Sequence, residues 1–254
     1  MDQSIDTLLP LAEQGNNEAQ FYMAALLSKE GKKQQKQAFA YALKAAKSGL
    51  PKAQSLLGRF YLYGVGVKAN SGKAFEWFRQ AAQANDTLAL EHLGFALLYG
   101  IGLERNQEQA AVYNCRAMEQ GSVTAKNNYA LQLRSGWGVE QNLAESYRLF
   151  KEMEQEEHPA VLYNLALFQL DGYPHGRNAT AAVELLKHAA DKGSDDAVYK
   201  LAEIFYEGAD EIASDRKLAR QYLEQTLRCR NHTLREMAAY DLDEWDTSGE
   251  KSDN

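Results

Sequence analysis

A small apolar residue returns every 36 positions through most of this chain. Ala53, Ala89, Ala125, Val161 and Ala197 are spaced at that interval. Leu57-Gly58 returns as Leu93-Gly94, Tyr129-Ala130, Leu165-Ala166 and Leu201-Ala202. Gly64-Val65-Gly66 returns as Gly100-Ile101-Gly102 and Gly136-Trp137-Gly138, and Ala81-Ala82 as Ala117-Met118 and Ala189-Ala190. An upstream copy starts at Ala19, 34 residues before Ala53, lacks the two-glycine loop and ends at Ala45-Ala46 and Gly49. Recurrence at this period leaves few folds open. Each copy is one supersecondary unit that cannot bury its own apolar surface, so neighbours must stack to make a core.

The stretch from Ala53 to Asn85 shows what the unit is. Ala53, Leu57, Gly58 and Tyr61 fall on one stripe of a helix. Gly64-Val65-Gly66 stops that helix, because glycine tolerates the backbone angles of a sharp turn. Ala74, Trp77, Phe78, Ala81 and Ala82 form the stripe of a second helix. Small residues at Gly58, Ala74, Ala81 and Ala82 let the two backbones approach, and Leu57, Tyr61 and Trp77 fill the remaining space.

The pattern Ala-x3-Leu-Gly-x2-Tyr-x2-Gly-x-Gly, followed by Ala-x2-Trp-x3-Ala-Ala, closely resembles the Sel-1-like repeat family, relatives of the tetratricopeptide repeats. The resemblance covers roughly residues 4 to 228. It implies an all-α, right-handed solenoid of about six helix-turn-helix repeats, starting near 19, 53, 89, 125, 161 and 197. One continuous domain over 1–245 is expected. Residues 4–15 read as a lone capping helix with Leu8, Leu11 and Ala12 inward; 233–245 read as the final cap, with Leu234, Met237, Ala238 and Leu242 inward. The second helix of repeat six is shifted by one residue, and the polar tail 246–254 is expected to be disordered.

Several activities find no support. The chain carries 28 Lys and Arg against 35 Asp and Glu. Nucleic-acid affinity comes largely from clustered cations, so no nucleic-acid partner is expected. Residues 1–127 hold 14 basic and 11 acidic side chains; 128–254 hold 14 and 24. This asymmetry either orients a partner or is a solvated surface. The first residues have no basic n-region and no long apolar run, so no signal peptide is read there, and no stretch approaches a membrane span. Cys115 and Cys229 lie three repeats apart, too far for a disulfide between helices stacked roughly 8–10 Å apart. Some relatives are secreted and carry a disulfide in each repeat; this chain departs from them. Two free thiols and a cytoplasmic location follow.

Gly64-Val65-Gly66 brushes against a dinucleotide fingerprint, but a helix precedes it where that fingerprint needs a strand. Gly66 to Lys73 misses P-loop spacing by one residue, and Ala74 replaces the magnesium-binding hydroxyl. His92, His158, His175, His188 and His232 show no metal-ligand spacing. No catalytic residue, metal or small-molecule cofactor is expected.

In stacked hairpins the first helix of each pair lines the concave side. Similarity to tetratricopeptide arrays implies that five positions per first helix point there, at −6, −3, +1, +4 and +5 from the Gly58 equivalent. The partner-binding candidates are Arg59, Tyr63, Phe95, Leu98, Tyr99, Asn127, Leu131, Arg134, Tyr163, Leu167, Tyr199 and Tyr206. Phe95, Leu98, Leu131, Tyr163 and Leu167 form an apolar strip beside Asn127, whose amide can both donate to and accept from a peptide main chain. The strip is either a binding surface or a seam buried between repeats by superhelical curvature. The expected function is a non-enzymatic scaffold or adaptor holding a protein or peptide, which the resemblance places among bacterial proteins. An inhibitor or immunity partner of a toxin or effector is the alternative within that class. A β-lactam-binding or -hydrolysing enzyme is the alternative outside it.

Overall fold

In the computed structural model the backbone of residues 4–249 and the side chains of residues 4–245 are described. The chain is 74% helical, with 14 α-helices and no β-strand among the described residues. It divides into two compact units, residues 1–142 and 143–254.

The first unit opens with α1 (Ile5–Glu13). Three hairpins follow, each a first helix and a second helix. They are α2 (Asn17–Leu27) with α3 (Lys32–Lys47), α4 (Pro51–Tyr63) with α5 (Ser71–Gln83), and α6 (Thr87–Tyr99) with α7 (Gln107–Glu119). The unit closes with α8 (Val123–Ser135), the first helix of repeat four. The second unit begins with that repeat's second helix, α9 (Leu143–Met153). It continues as α10 (Pro159–Asp171) with α11 (Ala179–Asp191), then α12 (Asp195–Glu207) with α13 (Arg216–Thr226), and ends with α14 (His232–Gly249).

Repeating polar residues start these helices. Asn70 and Asn106 accept the backbone N–H three residues on and so cap α5 and α7; Asn178 does the same for α11. Such caps satisfy donors that have no partner inside the helix. Asp215 caps α13 at 37 residues after Asn178, which is the one-residue shift read from the sequence. The first helices α4, α6 and α8 stop at Gly64, Gly100 and Gly136, all in the left-handed region.

The close approach inside a hairpin is visible at Gly58. A Cβ there would lie 2.7 Å from the Phe78 ring, which is fully buried. Gly94, one repeat on, would meet the Asn114 carboxamide at 2.2 Å. Gly58→Leu is therefore expected to cost about 1–3 kcal/mol through overpacking. Thermal unfolding unchanged from wild type would show that Phe78 can step aside.

The other face of Phe78 stacks on His92 of α6, with centroids 4.6 Å apart. Burial, and secondarily the Arg59 charge, lower the His92 pKa to about 4. The unfolded chain protonates this residue near 6.5. Between those values the unfolded state binds more protons, so stability falls as pH falls. Asn occupies the equivalent positions 128 and 164. From pH 7 to pH 4, wild type is expected to lose about 1–3 kcal/mol more than His92→Asn, as read by denaturant unfolding at each pH. Equal losses would mean that His92 is protonated in the fold.

Three terminal expectations change. Leu11 on α1 is exposed, while Leu8 and Ala12 are buried, because α1 has no first helix of its own to cover that side. Met237 on α14 is exposed, while Leu234 and Ala238 are buried. The α14 backbone continues through 246–249, part of the segment expected to be disordered; residues 250–254 lie outside the described residues. Cys115 and Cys229 are free thiols.

Candidate functional site

The first helices of the first unit carry its candidate face. Ser55, at the −3 position of α4, donates its hydroxyl to Asp86 at 2.6 Å, and Asp86 in turn caps α6 by accepting the Ala89 N–H. One repeat later, Glu91 accepts the hydroxyl of Ser122, which caps α8. Ser55 and Glu91 therefore clasp α4 to the start of α6 and α6 to the start of α8. Sequence reasoning assigned them to the groove; their fixed 31-residue reach to a capping residue is the signal that separates them from it.

At the +1 and +5 positions of α4 and α6 the side chains stand clear. Tyr63 is 64% exposed, Phe95 43% and Tyr99 44%. Phe95 and Tyr99 lie one helical turn apart with ring centroids at 4.8 Å. Partial burial raises the Tyr99 phenol above its ordinary pKa, so it stays a neutral donor and acceptor. Arg59 is exposed on α4, and its charge is felt by His92 of α6. Asn127, Leu131 and Arg134 on α8 are half-buried. The Asn127 carboxamide oxygen is buried and has no hydrogen-bond partner among the described residues.

Leu98 does not belong to this face. It is 1% exposed and packs with Leu97 and Ala110, under Trp137. The last turn of a first helix is where the loop folds back, so the +4 position of repeat three points into the seam.

In the second unit, Tyr163 and Leu167 on α10 are half-buried. Tyr199 and Tyr206 on α12 are engaged by the terminal helix. Tyr199 donates its hydroxyl to Asp241 at 2.6 Å, and Tyr206 stacks on Trp245 at 3.8 Å with Arg216 against the ring. Burial first, then the Asp241 hydrogen bond, raise the Tyr199 pKa. These two rings were expected in the groove; α14 lies against them instead.

Other concavities among the described residues include one in each unit. One, of about 580 Å³, is lined by Ile5, Leu9, Met23, Leu27 and Tyr41 in the first unit. It sits where repeat one lacks the two-glycine loop that in repeat three lays Gly102 over Phe75. The other, of about 280 Å³, is polar and lies in the second unit among Asp171, Arg177, Lys200, Glu203 and Glu207. Among the described residues, no three His, Cys, Asp or Glu side chains are placed to hold a metal ion, and no helix is long and apolar enough to cross a membrane.

Helical hairpins recurring at a near-constant period define an all-helical repeat protein. The chain belongs to the Sel1 repeat family, whose repeat profile matches residues 17–50, 51–86, 87–122, 124–154, 159–194 and 195–228. Among solved structures it is similar to a Sel1 repeat protein from Oxalobacter formigenes, at 26% identity and a TM-score of 0.69 over 86% of this chain and 88% of that one. It also resembles c5321, a protective antigen of uropathogenic Escherichia coli, at 25% identity and a TM-score of 0.54. That likeness covers 91% of this chain but 57% of c5321. A Sel1 repeat protein from Klebsiella pneumoniae shares the fold at 19% identity and a TM-score of 0.52, over 80% of this chain and 98% of that one. No curated protein gives a significant match.

Proposed function

We propose that this chain is a non-enzymatic binding protein that holds a protein or peptide segment on its first-helix faces, acting as an adaptor in the cytoplasm. The observation that carries the reading is the set of exposed rings at Tyr63, Phe95 and Tyr99 beside Arg59. Aromatic and arginine side chains dominate binding energy because each buries much surface and makes directional contacts. Exposed, adjacent rings on a stable helix stack serve packing poorly and recognition well. A face built on rigid first helices can take an extended or helical segment without rearranging the stack. In the second unit, Tyr163 and Leu167 extend the proposal, with less surface to offer.

A photoreactive phenylalanine analogue placed at Tyr63 or at Val112 tests this. Val112 is equally exposed, at 56%, but lies on a second helix. Irradiation in cells is expected to yield a discrete protein adduct from position 63 and none from position 112. Adducts from position 112 alone would move the interface to the second-helix side.

A further inference from the structure

We infer that the first unit's face takes an acidic segment that also carries apolar side chains. This rests on the binding reading above and adds the chemistry of the partner.

The face positions of the first unit hold Lys29, Lys52, Arg59 and Arg134 against Glu18 and Glu91. Both carboxylates are already committed. Glu18 pairs with Lys52 at 3.5 Å, and Glu91 accepts the Ser122 hydroxyl. Lys29 and Arg59 are exposed and make no ion pair among the described residues. The same positions in the second unit carry Asp171, Asp196, Glu203 and Glu207, with no Lys or Arg. The repeat fold therefore does not dictate the sign. Net charge at the face positions is therefore positive in the first unit and negative in the second.

Arg59 lies near enough to His92 for its charge to add to the effect of burial on that ring. Net charge on a face steers a partner of opposite charge and rejects like charge. An arriving carboxylate would give the Arg59 guanidinium its two-pronged acceptor. Apolar side chains on either side of that carboxylate would cover Phe95, Tyr99 and Tyr63. A nucleic acid fits poorly, because phosphate recognition draws on many cations and this face leaves few unpaired.

The test uses the full chain and two synthetic probes, a random copolymer of Glu and Tyr and one of Lys and Tyr, titrated at low salt. The Glu–Tyr copolymer is expected to bind, and to bind at least tenfold more weakly to both Arg59→Glu and Phe95→Ala. Binding of the Lys–Tyr copolymer is expected to be indifferent to both. Circular dichroism confirms that each variant is folded, and Arg59→Gln serves as a milder second variant. Glu–Tyr binding unmoved by both Arg59 variants overturns the inference. Lys–Tyr binding weakened by Phe95→Ala and strengthened by Arg59→Glu overturns the chemistry and leaves the face reading intact. Neither copolymer responding to Phe95→Ala removes the face reading itself. A duplex oligonucleotide that outcompetes the Glu–Tyr copolymer and is lost with Arg59→Glu would reassign the face to phosphate.

Discussion

Gly138→Ala is expected to destabilise the first unit by about 2–5 kcal/mol, whereas Gly136→Ala, two residues earlier, costs about 1 kcal/mol. Both glycines are left-handed, at φ 73° and 72°. Both substitutions therefore strain the backbone. They differ in what a methyl group would meet. At Gly138 a Cβ would fall 2.1 Å from the Gln107 carbonyl carbon, 2.2 Å from its oxygen and 2.4 Å from the Glu108 nitrogen. All three are backbone atoms at the start of α7, and a helix start cannot rotate aside. At Gly136 the nearest heavy atom is 3.7 Å away. Gly66 repeats the arrangement two repeats back, with a Cβ 2.0 Å from the Gln35 carbonyl oxygen of α3. The second glycine of the loop is thus the point where one repeat's turn rests on the previous repeat's second helix. Urea unfolding followed by circular dichroism should show a midpoint loss several times larger for Gly138→Ala than for Gly136→Ala. Equal losses would mean that the loop does not press on α7.

That contact explains why so much of the fold was legible in the sequence. Small residues and paired glycines mark backbone approaches, and those approaches set the period. Gly58, Gly94 and the alanines at 45, 81, 117 and 189 are all buried as their spacing requires. Even the one-residue shift in repeat six could be read, because a helix stripe moves with its cap.

The face was less legible, for a physical reason. Whether a side chain reaches solvent depends on what lies across from it, and that partner is remote in sequence. Leu98 and Tyr99 are neighbours, yet one is sealed under Trp137 and the other is open. Ser55 and Glu91 look like polar groove residues until they are seen to bond the caps, Ser55 donating to Asp86 and Glu91 accepting from Ser122. Tyr199 and Tyr206 have the composition of a binding surface, and nothing in their own repeat announces Asp241 and Trp245. The stripe of α1 predicted Leu11 inward because the pattern assumes a hairpin partner, which α1 lacks.

The second large effect is on binding. Replacing Phe95 and Tyr99 together by alanine is expected to weaken the partner by about 2–4 kcal/mol, against 1–3 kcal/mol for either alone. The two rings touch, so their losses should not add simply. Helicity should survive, because the buried residues of α6 are Ala89, Leu90, Leu93, Gly94, Ala96, Leu97 and Leu98, which the substitutions leave untouched. In the second unit Tyr163→Ala should cost less, since that ring is already half-buried.

The most direct measurement is a calorimetric titration of the partner recovered by crosslinking, run on wild type, on the Phe95→Ala/Tyr99→Ala double variant and on Val112→Ala, each with its circular dichroism spectrum. The first-helix face predicts that the double variant loses roughly thirtyfold or more in affinity with its helicity unchanged, and that Val112→Ala matches wild type. Full affinity in the double variant, with loss in Val112→Ala, would contradict it.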